Sequence, residues 1–128
     1  MAAAPALLAK QEGRYPVQPI NASSHWYHGD AAGRSCAADI RHTLLGFATH
    51  HAASVFWAAL FEALRRRYPK RSPALDALGV SALAAAVDYG LVPKRLTPGW
   101  EEVVSPRTIM LACAAMALGL MATRSRGR

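Results

Sequence analysis

TLLGFATHHAASVFWAALFEALRRRYPKR, residues 43–71, decides the fold. Its first 22 residues, to Leu64, carry one carboxylate, Glu62, and two imidazoles, His50 and His51; five positive charges then fall within the seven residues from Arg65 to Arg71. As a helix, the apolar part is ~33 Å long at about 1.5 Å per residue, enough to cross the hydrocarbon core of a bilayer with slight tilt. The cationic run beside it is the mark of a cytoplasmic loop, because positive charge near the end of a span sets its orientation. Ser35 or Asp39 can cap this helix by accepting from its free amides.

Two further apolar stretches follow. ALDALGVSALAAAVDYGLVP, residues 74–93, is Ala-rich and stops where Gly90 and Pro93 break the helix. TIMLACAAMALGLMAT, residues 108–123, is close to the lower length limit for crossing. The sequence therefore predicts an all-α integral membrane protein. It has about three spanning helices (43–64, 74–93 and 108–123), an irregular, interfacial N-terminal segment over 1–42, and a basic tail over 124–128. With loop 65–73 inside, the N-terminus lies outside, and eight basic residues face the cytoplasm against seven outside. Concentration in the short first loop, rather than the count, decides the orientation.

Composition agrees with a single helical domain of 128 residues. Hydrophobic residues make up 52%, yet mean hydropathy is only +0.09, because Ala rather than Leu or Ile fills the spans and the connections are polar. A net charge of +7 could suggest nucleic acid, but the fifteen Lys and Arg residues sit almost wholly outside the apolar stretches, many at their ends. That is membrane-flanking charge, not a continuous basic face, so no nucleic-acid partner is expected. Cys36 and Cys113 fall in different environments, and no disulfide is expected. Ala2 to Ala9, interrupted by Pro5, is too short for a signal-peptide core, which leaves insertion to the internal spans. Tyr15, Trp26, Tyr27 and Trp100 suit the headgroup region.

The candidate chemistry is His50, His51, Asp88 and Cys113, the polar groups inside the spans. Counting from the middle of each helix places them in one layer. A lone carboxylate in lipid costs about 2.5–3.5 kcal/mol, so Asp88 should turn inward and find a donor. Adjacent His50 and His51 point about 100° apart on a helix. His50 shares an i, i+4 stripe with Gly46, Ser54 and Ala58 that suits close packing, so it is the inward one. Three uses compete: an interhelical hydrogen bond between His50 and Asp88, a proton or ion relay, and ligation of haem or a metal by His50 or His51 with Asp88, Cys113 or a partner chain. Glu62, Arg65, Arg66, Arg67 and Asp76 lie near the cytoplasmic helix ends and are expected to form interfacial ion pairs. Small residues at Ser81, Ala84 and Asp88, and at Ala112, Ala115 and Gly119, read as helix-contact faces. His25, His28 and Asp30 lack the further ligands of a zinc site and read as surface or capping groups. Asn21-Ala22-Ser23 matches a glycosylation acceptor pattern. Dinucleotide-binding, phosphate-loop, nucleophile-elbow and HExxH patterns are absent, which argues against the common soluble enzyme classes.

PINASSHWYHGD at 19–30, RHTLLGFATHHAASVFWAALFE at 41–62 and VDYGLVPKRLTPGWE at 87–101 together resemble small uncharacterised multi-pass inner-membrane proteins of Gram-negative bacteria, over about half the chain. The resemblance implies the bacterial inner membrane and no particular activity. It also implies a further apolar helix before the PINA segment, of which residues 1–9 would be the remnant. The expected role is a non-enzymatic membrane component packing with itself or with other membrane subunits, without a cofactor. A haem-binding, metal-binding or proton-relay subunit is the first alternative, and a soluble Ala-rich bundle the second.

Overall fold

The computed structural model describes residues 3–125, whose regular structure is all helical with no strand among them. Six α-helices follow in order: α1 (Ala3–Gln11), α2 (Gln18–Ala22), α3 (His25–His28), α4 (Leu45–Arg67), α5 (Pro73–Ala86) and α6 (Pro106–Ser125). Of the basic tail, Arg126 and Arg128 lie outside the described residues, as does the Arg124 side chain.

The long helices start where local chemistry dictates. Asp39 stands in extended backbone, and its Oδ1 accepts from the His42 amide at 2.6 Å, opening the turn that leads into α4. That hydrogen bond, with the His42 ring beside it, holds the Asp39 carboxyl below the usual carboxylate range. Ser72 accepts from the Leu75 amide with Pro73 at the first helical position, a pairing that suits a helix start. Both α4 and α5 carry a widened π-type turn, Ile40–Leu44 before α4 and Val87–Leu91 after α5. In the latter, the Val92 amide reaches back to the Val87 carbonyl at 3.1 Å.

α5 is the central helix and packs against both α4 and α6, whereas α4 and α6 barely meet. Trp57 and Phe61 of α4, Ala77, Val80 and Ala84 of α5, and Ala117 and Leu120 of α6 form the main core. Outside it the helices are apolar but uncovered. Phe56 is 61% exposed, Leu78 55% and Leu118 63%. The helical stretches Ile40–Arg67 (28 residues) and Pro73–Leu91 (19 residues) are long and apolar enough to cross a membrane, and only 17% and 28% of their apolar windows are buried. The third, Pro106–Ala122, is a shorter apolar helix.

Residues 3–42 depart from the expected irregular segment. They fold as short helices that cap the end of the bundle where α4 and α6 begin and α5 ends. α2 is the wedge of this cap, seated against the start of α4 on one side and the Gly99 turn on the other. A Cβ on Gly46 would run into the Ile20 carbonyl, and one on Gly99, which sits at φ +82°, would run into the Ala22 carbonyl. Only glycine allows both approaches. Sequence periodicity misses this cap because its inner face is polar: Gln18, Asn21, Ser23, Ser24 and His25 are all buried.

Glu12, just past α1, caps α6 from outside. Its carboxylate accepts from the Ser105 amide at 3.1 Å and from the hydroxyls of Ser105 and Thr108. These donors, the Ser105 hydroxyl foremost, hold the Glu12 carboxyl below the usual carboxylate range. A lowered folded-state pKa stabilises above the unfolded value and loses that contribution as pH falls through the folded one. The Ser105 amide resonance should therefore shift with the Glu12 titration at a pH below about 4.3, the ordinary glutamate value. Glu12→Gln should abolish that shift, and its persistence in the variant would assign it to another carboxylate.

Candidate functional site

A cavity of about 450 Å³ opens between α4, α5 and α6 beneath the cap. It exists because α5 separates α4 from α6, so the small faces of the outer helices confront each other without touching. Ala112, Ala115 and Gly119, expected to make helix contact, line this space instead. A Cβ added at Gly119 would meet nothing within 4 Å. On α4 the expected inward stripe divides its work. Gly46 admits α2, His50 and Ser54 line the cavity, and Ala58 packs on the core. On α5, Ser81 and Ala84 are buried and Asp88 lines the cavity.

His50, Asp88 and Cys113 therefore share one chamber, as counting along the helices anticipated, and His51 does not. His51 is exposed on α4, its ring stacked on Phe47 with centroids 6.0 Å apart. The hydrogen bond expected between His50 and Asp88 is not formed: His50 Nε2 is buried without a partner. The cap accounts for the difference. The loop after α5 brings Trp100 over the imidazole, centroid to centroid 5.2 Å, and the Trp100 indole N–H is held by Ser23 Oγ at 3.1 Å. Trp100, expected to suit the headgroup region, is a half-buried bridge between cap and bundle. Asp88 sits in the π-type turn, a local widening frequent at functional sites.

Residues that sequence reasoning did not assign to the site complete the walls. All three tryptophans of the chain, Trp26, Trp57 and Trp100, line the cavity, with Tyr89 beside Asp88. Trp26 donates its indole N–H to Thr49 Oγ1 at 3.1 Å. The wider signal was the spread of the tryptophans over cap, first span and loop, which only the tertiary fold brings to one place. The Asp88 carboxylate and the His50 imidazole stand among this mostly apolar lining, to which no Lys or Arg of the described residues contributes.

The opposite end of the bundle carries the expected ion pairs in altered form. Arg65 Nη1 meets Asp76 Oδ2 at 2.7 Å with side chains 6% and 1% exposed, so this pair is buried within the protein. Arg65 also donates to the carbonyls of Pro69 and Arg71, at 3.0 and 2.8 Å, which folds the basic loop back onto α4. Arg71 Nε stands 3.2 Å from Asp76 Oδ1, an ion pair without hydrogen-bond alignment. Arg66 pairs with Glu62 at 3.3 Å on the exposed surface, and Arg67 lies over the Tyr68 ring at 5.2 Å.

In the cap, His25 is not a surface group. It is 5% exposed, and its Nε2 donates to the Thr97 carbonyl, fastening α3 to the loop after α5. His28 Nε2 donates to the Arg41 carbonyl at 2.8 Å. Asn21 is fully buried: its amide donates to the carbonyls of Ser35 and Ala37 at 2.9 and 3.0 Å, and its oxygen accepts from Thr43 at 2.6 Å. In this fold Asn21 is a structural clasp, inaccessible to the glycosylation its sequence pattern suggested. Cys36 and Cys113 are free thiols. Among the described residues no three His, Cys, Asp or Glu side chains converge where they could hold a metal ion. Comparison with protein-family models, curated proteins and solved structures finds no match to this chain.

Proposed function

We propose that this chain is a small, non-enzymatic, multi-pass component of a bacterial inner membrane, its three long helices packed with further copies of itself or with other membrane subunits. Loop 65–73 faces the cytoplasm in this reading, and the cap lies on the other side. The carrying observation is the uncovered apolar surface along α4 and α5: helices of this length in the core of a water-soluble protein are mostly buried, and these are not. Lipid or neighbouring helices satisfy that surface; water does not. The same observation weighs against the soluble Ala-rich bundle. A bundle so narrow also buries little against itself, which favours neighbours.

Haem or metal ligation, or a proton relay, is supported only by His50, Asp88 and Cys113 lining a common cavity. Exposure of His51 leaves that reading with a single imidazole.

Alkaline carbonate extraction of membranes from expressing cells tests the placement. The chain should stay in the pellet. Recovery in the supernatant, with a known integral protein retained, would overturn the membrane reading.

A further inference from the structure

We propose that the cavity beneath the cap is a binding site for an amphipathic organic cation, its apolar body held among the helices and its positive head set against Asp88 and the tryptophan rings. The inference rests on the cavity itself and not on what surrounds the helices, so carbonate extraction and the binding experiment below fail independently.

Three observations converge. First, the chamber is sized and lined for a small organic molecule: about 450 Å³, predominantly apolar, with a few polar groups gathered toward the cap. Second, its charge is the reverse of the rest of the chain. The protein carries a net +7, yet the lining supplied by the described residues holds one carboxylate, Asp88, and no Lys or Arg. Among the described residues the Asp88 side chain enters no ion pair and no hydrogen bond. An anionic guest would meet that carboxylate without a counter-charge, whereas a cationic guest supplies one. Third, all three tryptophans of the chain line the cavity, and two have their N–H groups committed, Trp26 to Thr49 and Trp100 to Ser23. What they offer a guest is the ring face, the surface that attracts organic cations. A small inorganic ion needs several oxygen ligands at short range, which one carboxylate among alanines and indoles does not provide.

The full chain, purified in an uncharged detergent, carries its own reporter in the tryptophans. Tetraphenylphosphonium should quench their fluorescence saturably, with one site per chain by calorimetry. Tetraphenylborate, of the same shape and opposite charge, should show no saturable site. Asp88→Asn should weaken phosphonium binding at least tenfold. Gly119→Leu, which fills the cavity and leaves the carboxylate in place, should abolish it. Equal binding of the borate, unchanged affinity in Asp88→Asn, or no saturable site in the unaltered chain would each overturn the proposal. Should Asp88→Asn lose its helical circular dichroism, Gly119→Leu decides, and undiminished binding there overturns it.

Discussion

Replacing Gly46 with valine should detach the cap from the bundle. The glycine lies one residue into α4, where the Ile20 carbonyl of α2 comes so close that any Cβ would collide with backbone. A flexible side chain could swing away; a carbonyl held in a helix cannot. Overpacking typically costs about 1–3 kcal/mol, and collision with backbone belongs at or above the top of that range. The loss should be read as faster proteolysis of residues 12–40 and a red-shifted tryptophan emission, since Trp26 and Trp100 are held by the cap. Gly79→Ala is the control. Nothing lies within 4 Å of its Cβ, so the change should stabilise α5 by about 0.5–1 kcal/mol through helix propensity alone. Equal tolerance of Gly46→Val and Gly79→Ala would show that α2 does not sit against α4 as described.

The second large effect is expected at the opposite end. Asp76→Ala leaves Arg65 charged, almost wholly buried and deprived of its carboxylate, a situation that typically costs about 3–5 kcal/mol. Removing both partners, with Arg65→Met and Asp76→Leu together, should restore much of that loss. A well-packed apolar pair needs no counter-charge, although the carbonyls of Pro69 and Arg71 then lose their donor. Denaturant titration of helical content in detergent measures both variants. A double variant no more stable than Asp76→Ala would place the stabilisation in Arg65's bonds to the loop rather than in the ion pair.

These two sites also mark what the sequence reveals and what it hides. The long helices are legible because apolar runs end at recognisable stops, Arg65 to Arg71 after the first and Gly90 with Pro93 after the second. Asp39 announces the start of α4 for the same local reason. The choice of His50 over His51 as the inward residue rests on its i, i+4 stripe of small and polar residues; in the structure His50 lines a cavity there rather than a tight contact, and His51 is exposed. The cap is not legible. Its helices are short, and their inner faces are made of Gln18, Asn21 and His25, whose partners lie elsewhere in the chain, so no local hydrophobic pattern signals them. Nor is the cavity. A stripe such as Ala112, Ala115 and Gly119 serves equally for tight contact or for empty space, and the separation imposed by α5 decides between them.

The cap also dictates an order of events during synthesis. Its fastenings join residues 72 to 93 positions apart in the chain: Glu12 to Ser105, His25 to Thr97, Trp100 to Ser23. The ribosome therefore delivers the cap segment before its partners exist, and that segment waits while α4 and α5 are assembled. Contacts so distant in sequence are slow to form. The polar surfaces of Gln18 and Asn21 keep the waiting segment compatible with water until residues 97–108 emerge and close over it.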